Sequence, residues 1–148
     1  MMNIFRFIIP KSLVEYTTAD STVRQGFEKM RFHRYVAIPV LDGDGRYVGM
    51  LRNDDILEFF LKHESFNLRV AERALVADVI DPSYSRPLYH NSTMEELLEL
   101  VKEHNAVPVV DDRGCFIGIV LRRDVMNFLA KHYDSAKRVN GESRTKTV

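Results

Sequence analysis

Asp55 and Asp124 stand 69 positions apart, each at the opening of a segment with helical spacing. Each has arginine close by: Arg52 three residues before the first, Arg122 and Arg123 directly before the second. A carboxylate at a helix start accepts hydrogen bonds, either from a ligand or, as a cap, from the helix's own N–H groups. Guanidinium groups near helix N-termini, where backbone N–H groups already favour anions, suit phosphate; plain surface charge is the alternative. The other reactive side chains carry less. Five histidines, His33, His63, His90, His104 and His132, show no metal-ligand spacing. The acidic pairs Asp42/Asp44 and Asp111/Asp112 could serve a metal or acid–base chemistry, but they fall in Asp/Gly-rich stretches, where turn-forming aspartate is the simpler reading. Cys115 is the only cysteine, which fits a reducing cytosol, and as a turn residue it reads as a half-exposed bystander. There is no Ser-His-Asp or Cys-His arrangement, P-loop or dinucleotide fingerprint, so no enzymatic role is expected.

The elements that must position these residues come in duplicate. Residues 37–60 read AIPVLDGDGRYVGMLRNDDILEFF and residues 106–129 read AVPVVDDRGCFIGIVLRRDVMNFL, a gapless repeat with eight identical pairs. Upstream the offset becomes 71, as in Ser21-Thr22 and Ser92-Thr93, so the second copy lacks two residues in a connection, where indels belong. Each copy predicts strand, helix, strand, strand, helix. Thr22 with Gln25, and Thr93 with Glu96, have the spacing of a capping box. Val23, Phe27 and Met30 then share one helical face, as do Met94, Leu98 and Val101. Strand, Asp/Gly turn and strand follow as a hairpin, then a second helix over about 54–62 and 123–132. The fold class is α+β, two β-α-β-β-α repeats with residues 1–66 and 67–133 as the copies. Residues 134–148, almost without large apolar side chains, are expected to be disordered.

A lone half of about 65 residues is marginal, so the copies are expected to pack together. With 45% hydrophobic and 28% charged residues, the composition is that of a globular protein. Lys plus Arg balances Asp plus Glu at 21 each, which argues against nucleic acid as a partner. No apolar run approaches about 18 residues, and the opening MMNIFRFIIPKS lacks a signal-peptide pattern. A cytoplasmic protein without a membrane partner is expected.

The strands Ile38-Pro39-Val40-Leu41-Asp42 and Val107-Pro108-Val109-Val110-Asp111, the turns after them, Tyr47-Val48-Gly49 and Phe116-Ile117-Gly118, and the aspartates Asp55 and Asp124 together resemble a tandem pair of cystathionine-β-synthase (CBS) domains. The resemblance covers about residues 8–132. It implies a pseudo-twofold pair with two clefts, a flat homodimeric disc, and a regulatory sensor of an adenosine-containing nucleotide: AMP, ADP, ATP, S-adenosylmethionine or cyclic di-AMP. Such a sensor requires no cofactor, and would signal in trans to a separate, unidentified protein partner. It further implies that Asp55 and Asp124 accept from ribose hydroxyls. The cleft walls would include Tyr16, Thr17 and Thr18, Leu88, Tyr89 and His90, and the pairs Ala37-Ile38 and Ala106-Val107. His90 would then be placed to contact phosphate or to titrate, while the other histidines read as surface residues. The family's signature, Gly, two residues, Thr or Ser, two residues, Asp, appears here as Gly49 to Asp55 and Gly118 to Asp124, with Arg52 and Leu121 in place of the hydroxyl. Arg52 can grip phosphate instead; Leu121 cannot. The alternative is an interaction module that has lost its ligand.

Overall fold

In the computed structural model, residues 3–145 are described. The Asp/Gly turns close two hairpins in the same way. Asp42 Oδ1 accepts from the N–H groups of Asp44 and Arg46, and Asp111 Oδ1 from those of Arg113 and Cys115, all at 2.9 Å. Gly45 and Gly114 both sit at φ 81°, where a side chain would be strained. These aspartates are therefore turn formers. In chain order, the strands are β1 (Ile9–Pro10), β2 (Thr17–Thr18), β3 (Ala37–Leu41), β4 (Tyr47–Arg52), β5 (Leu88–Tyr89), β6 (Ala106–Val110) and β7 (Phe116–Leu121). Hairpins β3–β4 and β6–β7 share one register and one bulge, at Val40/Leu41 and Val109/Val110.

The helices are α1 (Val23–His33), α2 (Asn53–Lys62), the short α3 (Leu68–Ala71), α4 (Met94–Glu103) and α5 (Arg122–Thr145). Both capping boxes form: Thr22 and Gln25 bond reciprocally at 2.9 and 3.1 Å, Thr93 and Glu96 at 2.8 and 3.2 Å. Helix α5 departs from the expectation of a disordered tail from Asp134, because it runs on to Thr145. Nothing in residues 134–145 stops it: there is no proline, and each residue added to a nucleated helix gains a backbone bond. Residues 146–148, the rest of that expected tail, lie outside the described residues.

Two sheets result, β2-β3-β4 and β1-β7-β6-β5. Strand β1 belongs to the opening segment of the first copy, yet it pairs with β7 of the second. Ile4 and Phe7, just before it, are buried with Leu88, Leu97, Val107 and Val120. The exchange is reciprocal: Ala71 and Val76, in the opening segment of the second copy, are buried against Val23, Ile38 and Leu51 of the first. Each half is thus completed by the opening segment of the other copy. The hairpin tips meet between the halves, with the Tyr47 N–H on Gly114 O and the Phe116 N–H on Gly45 O, at 3.0 and 2.9 Å. The Tyr47 hydroxyl adds a bond to the Ser85 carbonyl at 2.8 Å.

Candidate functional site

Strand β4 ends at Arg52 and α2 begins one residue later, so Asp55 falls in the first helical turn, facing back toward the strand. Its Oδ2 accepts from the Arg52 backbone N–H at 2.8 Å and from Arg52 Nε at 3.2 Å; its Oδ1 accepts from Arg52 Nη2 at 2.8 Å. Asp55 is only 7% exposed, and the Arg52 side chain 24%. Burial disfavours the charge on Arg52, but the hydrogen bonds and attraction of Asp55 outweigh it and hold the guanidinium above its ordinary pKa.

The other face of that guanidinium lies on Tyr84, with Cζ 3.8 Å from the ring centroid. Tyr84 is carried by a turn in which the Asp81 carboxylate accepts from the backbone and hydroxyl of Ser83, at 2.9 and 2.7 Å. These bonds hold the Asp81 carboxyl below its ordinary pKa. The His104 ring meets Tyr84 edge-on at 5.0 Å. Around this group lies a cleft of about 310 Å³, with Val36, Ala37, Met50, Arg52, Asn53 and Asp54 on the first copy's side. Tyr84, His104, Asn105 and Ala106 line it from the second. Residues from both halves therefore meet there, and Ala37 and Ala106, repeat equivalents, share it.

The equivalent position in the second copy is built differently. Arg122 donates from Nε to the Val101 carbonyl at 2.6 Å and from Nη2 to the Lys102 carbonyl at 3.3 Å, satisfying the C-terminal end of α4. That guanidinium serves the fold. Arg123 is exposed and Asp124 half-buried, with Leu121 where Arg52 stands in the first copy. Leu13, 71 residues before Tyr84, is 75% exposed and supplies no aromatic face.

Of the remaining residues expected to line the clefts, Ile38, Val107 and Leu88 are core. Thr17 is buried, and Thr18 shares a 2.7 Å hydrogen bond with Ser21. Both pair with the far end of β3, at Val40 and Leu41, about 10 Å along the strand from Ala37. Tyr16 packs near Phe116, beneath Lys11 and Lys29. Tyr89 is exposed, and His90 stands near Phe5. Both lie at the far end of β6, away from Ala106. The structure thus brings Arg52, Ala37 and Ala106 to one cleft, with Asp55 bonded to Arg52 behind its lining, and leaves the others elsewhere. Tyr84 and His104 were missed by sequence reasoning, and His104 does not fit the surface reading. The available signal was different for each: Tyr84 ends an Asp-Pro-Ser-Tyr stretch of turn-forming composition, and His104 falls in the connection where the second copy lacks two residues.

His104 Nδ1 is buried and has no hydrogen-bond partner among the described residues. Burial lowers its pKa below the ordinary 6.5, with Arg122 acting in the same direction and Glu103 opposing. The unfolded chain therefore binds the proton more readily, so stability is full above the unfolded value and declines as pH falls through it. The urea midpoint should drop between about pH 7.5 and about pH 5.5, and a His104→Gln variant should show a smaller drop. Equal pH slopes in the two proteins would remove His104 as the cause.

Comparison with known proteins is consistent with this architecture. Matches to the CBS domain family cover residues 10–62 and 77–131. An uncharacterised protein of Methanocaldococcus jannaschii is 26% identical over 125 residues, covering 77% of this chain and 45% of that protein. A more partial match, 24% identical over 119 residues, spans 79% of this chain and 22% of an inosine-5'-monophosphate dehydrogenase of Aquifex aeolicus. The chain thus spans less than half the length of the curated relatives it matches. Among solved structures, the Listeria monocytogenes CbpB protein in complex with c-di-AMP superposes with TM-score 0.79 at 22% identity, covering 88% of this chain and 97% of that one. CBSX2 in complex with AMP superposes at 0.72 and 20% identity, covering 90% and 99%. Among the described residues, no helix is long and apolar enough to cross a membrane.

Proposed function

This chain belongs to the CBS domain family, and from that premise we propose that it is a regulatory module that binds an adenosine-containing nucleotide in the first cleft and signals to a partner protein. The observation that carries the reading is the cleft between the halves, where Arg52 and Ala37 of one copy face Tyr84, His104 and Ala106 of the other. A ligand seated there touches both halves at once, so its presence can change how they sit together. The guanidinium supplies a grip on a charged group, and the Tyr84 ring and the alanines supply flat apolar surface. Nucleotide complexes of proteins with the same fold, one with c-di-AMP and one with AMP, support the ligand class. The second position, with Leu121 and an engaged Arg122, is read as unable to bind, giving one ligand per chain.

Isothermal titration with AMP, ADP, ATP, S-adenosylmethionine and cyclic di-AMP tests this. We expect saturable binding of at least one, near one per chain, weakened about tenfold or more by Arg52→Ala. A flat response to the whole panel would reject the reading. It would favour the second one, a ligand-free interaction module, for which the pairing of Arg52 with Asp55 and the apolar Leu121 both speak. In either case we read the module as non-catalytic and cytoplasmic. We also read it as homodimeric through the exposed apolar residues Leu57 and Leu61 of α2 and Met126 of α5.

A further inference from the structure

We infer that Asp55 is not the ribose acceptor in this chain, because Arg52 occupies it, and that the first cleft selects its ligand by the phosphate rather than by the ribose hydroxyls. This rests on the nucleotide reading above. A ribose diol needs both oxygens of a carboxylate. Here Oδ2 already accepts two N–H groups and Oδ1 a third, on a side chain with almost no exposure. A diol would have to expel the guanidinium, breaking a two-point charge-assisted contact and removing the cation from the Tyr84 face. Hydrogen bonds between an ion and a neutral hydroxyl are weaker than those between two ions, so a neutral diol does not win that exchange.

An anionic group faces no such contest. A guanidinium has five N–H donors, and Asp55 takes one on Nε and one on Nη2. The remaining donors can receive a phosphate while the pair with Asp55 stays intact. Two other carboxylates stand near and set the limit on affinity. Asp54, at the cleft wall, is exposed and screened by solvent, and Asp81 is held by Ser83.

The test compares AMP, 2′,3′-dideoxy-AMP and adenosine by isothermal titration, on the natural chain and on Arg52→Thr. On the natural chain, dideoxy-AMP should bind within about threefold of AMP, and adenosine about tenfold or more weaker. Arg52→Thr uncovers Asp55, so adenosine should gain and removal of the diol should now cost about tenfold. A tenfold loss with dideoxy-AMP on the natural chain, or adenosine equal to AMP there, overturns the inference and leaves the nucleotide reading standing. If no compound binds either protein, the nucleotide reading fails and this inference with it. The measurements on the natural chain decide the matter even if the variant does not fold.

Discussion

Gly118→Ala should destabilise the protein by about 3 kcal/mol, at the upper end of what overpacking costs, by driving β1 away from β7. A Cβ on Gly118 would lie 2.3 Å from the Ile9 carbonyl oxygen, 2.7 Å from Ile8 Cγ2 and 3.1 Å from the Ile9 carbonyl carbon. Two of those atoms are backbone of the paired strand, where Pro10 lies opposite Gly118 itself, so no flexible side chain can move aside. Displacing β1 also loosens Ile4 and Phe7, which fill the second half's core from just upstream. The repeat equivalent differs in kind. A Cβ on Gly49 meets the movable tip of Ile80 at 3.0 Å and the nearest backbone atom, in Pro82, at 3.7 Å, but φ there is 158°, so Gly49→Ala carries backbone strain rather than a clash with a paired strand. Urea unfolding of the Gly118→Ala variant reads the loss. A loss below about 1 kcal/mol for Gly118→Ala would mean that β1 yields without consequence.

Where the sequence was legible, it was because two copies said the same thing. The capping boxes at Thr22 and Thr93, the Asp/Gly turns and both hairpins all follow from local chemistry that needs no partner. Strand β1 was another matter: two residues carry no period, and nothing local says which sheet they join. The exchange of lead-in segments belongs to the packing of the halves. The same limit governed the cleft. Arg52 stood out because it replaces a hydroxyl, but Tyr84 and His104 reach it only once an irregular turn and the end of α4 are folded against the first half. Nor could charge alone separate Arg122, tied to helix carbonyls, from its exposed neighbour Arg123. The threonines of β2 were misplaced for a related reason, since parallel pairing carries them to the end of β3 remote from Ala37.

Asp55→Ala should cost about 3 kcal/mol, and its main effect should be on folding rather than on ligand contact. The side chain does two jobs at once. It accepts the Arg52 backbone N–H, the bond that ties the end of β4 to the first turn of α2, and it neutralises the guanidinium of a side chain that is 24% exposed. Loss of a capping contact alone costs about 1 kcal/mol. Removing one partner of a buried pair costs about 3–5 kcal/mol, because the other charge is left behind. Arg52 retains some access to water and the Tyr84 face, so the lower end of that range applies. The double variant Arg52→Leu with Asp55→Ala separates the two contributions. With no stranded charge, it should recover much of the loss, leaving chiefly the capping bond. If the double variant is as unstable as Asp55→Ala alone, the pair contributes little, and Asp55 matters to the fold mainly as the joint between strand and helix.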